Sequence, residues 1–423
     1  MRISTNEFLM GSLNSILSQE STANQLNQQI ASGQAISTAM DNPAGAGQSL
    51  NLASQIGRLT YDGANAAAGA TSIENGLNAL QSVSSVITQL RQVADQAANG
   101  TSSNSDRQAL AGTVESMVQQ LVQLANSQTA NGEYLFGGSE TGNAPFVTEA
   151  NGEIAFIGDA GSNALEIAPS LSVPITLSGQ NTFMNIPSGN GSFSIAASGA
   201  NTGTATATPG GVTNVSQLTA EHLAGTEFSL TFGAVNPGGS ITYTVASGTG
   251  APGTAGFAAT SGVVTSGSYT SGAGIAFGGI DFTFTGTPAT GDSFTVAPSQ
   301  MTTIFQIAQS LASALTAPSS NTSQIISPMQ QQQIQTVLSE LDSAQTSVLS
   351  SQATLGTNLA DIQSIQSRDN TQSTAAQGEL SGLQSVNLPQ VITNYNESLV
   401  SLQAAEAAFG RIQNLSLFSV IGP

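Results

Sequence analysis

Apolar residues recur every seven positions in segments on both sides of the middle of the chain, and this constrains the fold more than any other feature. Ile73, Leu80, Ile87 and Ala94 fill one heptad position, and Val83, Leu90 and Ala97 fill another three residues later. Beyond residue 301 the pattern returns with Ile334, Leu341, Val348, Leu355 and Ile362, while Val337 and Ala344 take the complementary position. A repeat held over that length specifies long helices that bury a narrow stripe against another helix.

Three further segments read as helical. Leu110, Val114, Met117, Leu121 and Leu124 are spaced alternately four and three, after a loop at residues 99–104 that ends in capping residues. Near the N-terminus Leu9, Ile16, Ala23 and Ile30 lie seven apart with Leu13 and Leu26 beside them, up to a break at Asp41-Asn42-Pro43. Near the C-terminus Leu388, Tyr395, Leu402 and Phe409 repeat the spacing, with Ile392, Leu399 and Ile412 filling in.

The middle differs in kind. From Phe146 to Pro298 the chain is rich in Gly, Ser and Thr and shows short alternating runs, the mark of strands. Phe228–Phe232, Ile241–Val245 and Ile280–Phe284 are examples, and Asn236-Pro-Gly-Gly reads as a turn between the first two. No Arg falls between Arg107 and Arg368. The expected fold class is therefore α+β. An elongated antiparallel helical bundle or coiled-coil rod is built from both chain ends, and a mostly β outer domain is inserted in it. The expected divisions are 1–40 (N-terminal assembly helix), 41–145 (rod), 146–299 (β domain), 300–386 (rod) and 387–423 (C-terminal assembly helix).

Composition excludes several function classes. The formal net charge is -19, with 25 acidic residues, 6 arginines and no lysine. Phosphate backbones and anionic membrane surfaces both demand cations, so nucleic acid and membrane are not expected partners. Only 7% of residues are charged, which is also unlike an acidic solvating tail. Cysteine is absent, ruling out disulfides and thiolate metal sites and suiting a chain that is exported. No run approaches the ~18 apolar residues of a membrane span. The first residues lack the apolar core of a cleaved signal peptide, so a route that does not use one is expected.

Catalytic chemistry finds little support. His222 is the sole histidine and reads as a solvated loop residue, since no Gly-x-Ser-x-Gly elbow accompanies it. Carboxylates are scattered singly, without metal-ligand spacing. A lysine-free chain has no Walker A loop. Gly248, Gly250 and Gly253 match Gly-x-Gly-x-x-Gly but precede no amphipathic helix. No catalytic residue, cofactor or metal is expected. Short terminal helices cannot hold a fold alone in water, so partner binding is expected at Leu9, Leu13, Ile16, Leu26 and Ile30, and at Ile392, Tyr395, Leu399, Leu402 and Phe409.

Specific strings then narrow the reading. Ser32-Gly33 followed by Asp41-Asn42-Pro43-Ala44 resembles the Ser-Gly…Asp-Asp-Pro-Ala segment of flagellins and their junction relatives. Ala98-Asn99-Gly100, Asp106-Arg107 and Leu124-Ala125-Asn126 are similar to the same family's N-terminal pattern. Gly132-Glu-Tyr134-Leu135-Phe136-Gly-Gly-Ser139, followed by Pro145-Phe146, resembles the junction branch more than the filament flagellins, whose equivalent segment reads Gln-Phe-Asn-Gly. Gly-Asp-Ser-Phe-Thr-Val at 291–296 and Leu415-Ser-Leu-Phe418 fit the same group. The resemblance covers roughly residues 1–146 and 300–423. Two departures are Asn42 in place of the second acid and Gln34 where a basic residue is usual.

The resemblance implies a secreted structural subunit of the bacterial flagellum, placed between hook and filament and exported unfolded through the type III channel. Its implied partners are flagellin, the first hook-associated protein, further copies of itself in a ring, and an export chaperone. Terminal helices would form an inner tube, with the β domain outside. Alternatives are a filament flagellin, and a secreted adhesin or enzyme carried on the β insert.

Overall fold

A computed structural model describes residues 5–36, 38–40, 42–99, 103–236, 239–249, 258–317 and 326–421. Three helices come first, α1 (Thr5–Ser32), α2 (Pro43–Ala98) and α3 (Asn104–Ala125). Strands β1 (Phe146–Thr148), β2 (Ile154–Phe156), β3 (Ala164–Ala168) and β4 (Leu171–Pro174) follow. A π-helical turn at Gln180–Met184 leads to β5 (Ile186–Pro187), β6 (Phe193–Ala197), β7 (Thr206–Ala207) and β8 (Gly211–Val212). Helix α4 (Val215–Leu223) precedes β9 (Glu227–Val235), β10 (Ile241–Thr249), β11 (Ala258–Tyr269) and β12 (Gly274–Phe277). Then come β13 (Ile280–Thr285), β14 (Ser293–Pro298), β15 (Met301–Thr302), α5 (Ile304–Thr316), α6 (Pro328–Gln384) and α7 (Leu388–Ile421). The class is α+β, as expected: long helices from both ends and a mostly β insert. Two compact units are formed, residues 1–65 with 364–423, and residues 66–363.

In the larger unit α2 and α6 run antiparallel. Gly69 approaches Ile362, Gly76 approaches Leu355, Ser84 accepts a hydrogen bond from Gln345 Nε2 at 2.8 Å, and Arg91 pairs with Asp342. The heptad residues named on each helix are all buried, none more than 3% exposed. Here stripe periodicity alone located the seam. Small side chains assist it: a Cβ on Gly76 would lie 3.0 Å from Leu355 Cδ1.

Helix α3 begins with a capping box. Ser103 Oγ accepts from the Asp106 amide, while the Asp106 carboxylate accepts from the Ser103 amide. Its buried face, however, is Arg107, Ala111, Val114, Val118, Leu121 and Ala125. Leu110, Met117 and Leu124 are only half-buried. Val114 and Leu121 of the expected stripe are therefore buried, but the buried face is rotated toward Ala111, Val118 and Ala125, and the larger Leu110, Met117 and Leu124 flank it.

The β region holds a five-stranded antiparallel sheet in the order β11-β10-β9-β14-β6 and a smaller sheet in the order β12-β13-β7, with β8 also paired to β13. The three runs read as strands fall in β9, β10 and β13. Between β9 and β10 the Asn236 amide donates to the Ser240 carbonyl, and the Gly239 amide donates to that of Asn236. Phe193, Phe228, Phe232, Phe282, Phe284 and Phe294 build the core with Leu230, Val245 and Val296. Phe284 meets Phe294 at 4.7 Å, inclined at 62°.

Two readings change. His222 lies not in a loop but on α4, which Asn214 caps by accepting from the Gln217 amide at 3.1 Å, and it is half-buried there. Of the glycine triplet, Gly248 is in β10, and Gly250 and Gly253 fall outside the described residues.

Candidate assembly interface

The smaller unit contains the pairing of α1 with α7. The helices are antiparallel, tied at one end where the Ala35 amide donates to the Gln384 carbonyl at 2.7 Å and Gln34 bridges Ser385. Further along, Ser398 Oγ reaches the Gln19 carbonyl at 3.5 Å. Ala23, Val391 and Ser398 are the buried residues of the seam. Leu9, Ile16, Leu26 and Ile30 on α1, and Tyr395, Leu399, Leu402 and Phe409 on α7, are half-buried.

Two of the ten expected interface residues stand apart. Leu13 is 40% exposed and Ile392 45% exposed. Leu13 belongs with Met10 and Leu17, which are also exposed, and the three lie at i, i+3 and i+7 on one helical stripe. Helix α1 thus carries a half-covered apolar stripe and an open one side by side. On α7 the seam runs Val391, Tyr395, Ser398, Leu402, Ala405, Phe409, alternating four and three. Sequence reading missed Val391 and Ser398 because it followed the bulkier Leu388 and Ile392. The side chain of Ile412 and those of 415–418 lie outside the described residues.

The described residues of the string after α1 close that helix and open the next. Gly33 takes φ +69°, which favours glycine, and its amide donates to the Gln29 carbonyl to close the helix. The Gln34 amide donates to Ser32 Oγ. Asn42 Oδ1 accepts from the Gly45 amide at 3.0 Å, and Pro43 opens α2, the favoured residue for a first turn. Asparagine caps as well as aspartate, so this departure from the family string preserves its local role. Asp41 lies outside the described residues.

The string at 132–139 belongs to the larger unit and is a packing knot. Tyr134 is half-buried; Leu135 and Phe136 are buried, and Phe136 meets Phe183 edge-on at 5.3 Å. Phe146 touches both Phe183 and Phe305 at 5.4 Å. Gly137 and Gly138 admit no side chain: a Cβ would lie 2.2 Å from the Glu140 carbonyl oxygen and 2.0 Å from Asp159 Oδ1. Asp159 accepts from the Ser139 amide, the Ser139 hydroxyl and the Gly161 amide. The Ser139 hydroxyl and amide hold the Asp159 carboxyl below its ordinary range.

The string at 291–296 has a similar explanation. Buried Asp292 accepts from three backbone amides, those of Thr202 at 2.8 Å, Gly203 at 3.0 Å and Ala289 at 2.8 Å. Phe294 and Val296 are core residues beside it. Two glutamates in this unit are raised by burial: Glu227, and Glu340 despite the amide of Gly189 donating to it. Among the described residues no group of three His, Cys, Asp or Glu side chains is placed to hold a metal ion. No helix among them is long and apolar enough to cross a membrane. The arrangement offers surfaces for association.

Residues 3–141 match the family described as the bacterial flagellin N-terminal helical region. The resemblance to flagellins and their junction relatives is therefore shown. The chain is similar to flagellar hook-associated protein 3 of Escherichia coli K12, with 30% identity over 190 residues, 44% of this chain and 58% of the relative. It is also similar to B-type flagellin of Pseudomonas aeruginosa, at 32% over 133 residues, 31% of this chain and 27% of that protein. The crystal structure of flagellar hook-associated protein-3 from Legionella pneumophila superposes with a TM-score of 0.68 at 27% identity, covering 78% of this chain and 98% of that one. The chain spans about half the length of the curated hook-associated relatives it matches.

Proposed function

We propose that this chain is a secreted structural subunit of the bacterial flagellum that joins the hook to the flagellin filament, and that it carries out no catalysis. The observation that carries the reading is the α1–α7 pair, whose seam is only half covered and whose Met10-Leu13-Leu17 stripe is open. Such a pair gains apolar burial when neighbouring subunits supply the missing faces. The similarity to hook-associated protein 3, in sequence and in fold, supports the same reading. Leu9, Leu13, Ile16, Leu26, Ile30, Ile392, Tyr395, Leu399, Leu402 and Phe409 are the proposed subunit contacts.

In this reading the divisions at 40, 145, 299 and 386 separate assembly helices, rod and β domain. The chain leaves the cell unfolded through the type III route, held beforehand by an export chaperone. Copies then order at the growing tip as a ring between the first hook-associated protein and flagellin. Head-to-tail contacts suit stacking along a helical assembly, and coupling order to assembly confines burial to the tip.

An in-frame deletion in the source bacterium tests this, scored by electron microscopy and by flagellin in the medium. Hooks without filaments, with flagellin shed, are expected; normal filaments would overturn the proposal. The similarity to a B-type flagellin favours one second reading, that this chain is the filament subunit. Bare hooks with no shed flagellin would select it.

A further inference from the structure

The five-stranded sheet ends differently on its two sides. At the β6 edge α6 lies against the strand: Thr336 Oγ1 reaches the Ile195 carbonyl at 3.4 Å, and Gln332 Oε1 accepts from the Ala207 amide of β7 at 2.6 Å. At the other edge β11 pairs with β10 and, among the described residues, with no strand on its outer side. Its inner face is firmly held. Tyr269 packs on Phe232 at 5.2 Å and donates to the Gly286 carbonyl at 2.7 Å. Residues 265–269 pair with β10 in unbroken register.

Edge strands are ordinarily protected by charge, proline or brevity. β11 has twelve residues and contains no charged residue and no proline. Val263 and Val264 are 61% and 45% exposed, and Gly262, Ser266 and Ser268 are exposed beside them. The whole stretch between Glu227 and Asp281 lacks a charged side chain, in a chain of net charge -19. An edge without cations or anions offers nothing to a charged partner. It also removes the repulsion that two copies of so acidic a chain would otherwise feel.

We propose that β11 is an association edge that pairs antiparallel with β11 of a second copy of this chain. A two-fold axis beside the strand sets only the residues nearest the axis opposite their own copies; an axis at Val263 and Val264 brings valine against valine, and the exposed amides and carbonyls pair across it. The interface is small, and association is accordingly weak in free solution. This inference goes beyond the junction role and stands without it.

The absence of cysteine gives a clean test in the full chain. Single cysteines replace Gly262, Val264, Ser266 or Ser268, with Ile157→Cys as an exposed control, and disulfide formation is timed on non-reducing gels. One or two neighbouring positions in β11 should cross-link about tenfold faster than the control, reflecting the raised local concentration at the axis. Val263→Lys, added to the fastest variant, should return it to the control rate with an unchanged far-ultraviolet circular dichroism spectrum. Cross-linking at the control rate throughout β11, equal rates at all four positions, or indifference to Val263→Lys with the fold intact would each overturn the proposal. If Val263→Lys unfolds the chain, Val264→Lys, or Ser266→Lys where the cysteine stands at 264, is read against the same criteria.

Discussion

A Cβ placed on Gly138 would stand 2.0 Å from Oδ1 of Asp159, the atom that also accepts the Ser139 amide. The backbone there sits at φ +78°, so a side chain meets both a steric and a conformational obstacle. Gly138→Ala should therefore cost at least the ~1–3 kcal/mol of a strained left-handed residue. A lowered denaturant midpoint for the larger unit checks this, and an unchanged midpoint would refute the close approach.

Asp292 predicts a comparable loss by a different route. Its carboxylate satisfies three backbone amides inside the β region. Asp292→Ala leaves those donors unpaired and should destabilise by roughly 3 kcal/mol. Asp292→Asn keeps one accepting oxygen and should fall between. Hydrogen exchange at Thr202, Gly203 and Ala289 would report the loosened amides directly.

Glu340 provides a pH signature. Burial raises its carboxyl above the ordinary glutamate value of 4.5, so the folded state holds that proton more tightly than the unfolded chain. Its contribution favours folding below about pH 4.5 and is lost as pH rises through the higher folded value. Glu340→Gln removes the dependence while keeping an acceptor for Gly189. Thermal scans from about pH 4 to about pH 8 should show the variant gaining on the parent as pH rises. A constant difference would place Glu340 in solvent.

The corner after α1 distinguishes capping from charge. Asn42→Ala should lower stability of the smaller unit by about 1 kcal/mol, whereas Asn42→Asp should be nearly neutral. If both variants fall equally, the Asn42–Gly45 bond is not what starts α2.

The two stripes of α1 separate folding from assembly. Leu13→Glu charges the open stripe and should block incorporation into flagella while leaving the isolated chain's unfolding unchanged. Ile16→Glu and Leu402→Glu strike the half-covered seam and should impair assembly and also loosen the α1–α7 pair, with little effect on the larger unit. If Leu13→Glu unfolds the smaller unit, its exposed stripe is core.

Much of this was legible before the structure because burial on a helix follows a period. Ile73 through Ala97 and Ile334 through Ile362 are large, regularly spaced side chains, and the seam lies where they lie. Helix α3 misled because its buried face includes the small Ala111 and Ala125 and the charged Arg107, whereas periodicity read from bulk favours flanking residues such as Met117. Helix α7 misled likewise at Ser398, a buried polar residue that no hydrophobic pattern includes. The strings at 132–139 and 291–296 were visible as resemblance, but their purpose was not. It resides in backbone amides and carbonyls from distant segments, at Asp159, Thr202 and Leu177, which local sequence does not bring together. Likewise, that β11 is an edge follows from strand order, not from the composition of the strand itself.

The rings of Phe136, Phe146, Phe183 and Phe305 come from four separate stretches, the last about as far along the chain as α5. A chain made from its N-terminus therefore carries three of these rings before the fourth exists. The larger unit has to close a long loop before its aromatic cluster is complete, a slow and entropically costly step. Until Phe305 arrives that cluster stays open, while the β core of residues 193–296 can already close, and the seam of α2 waits longer still, for Ile334 to Ile362.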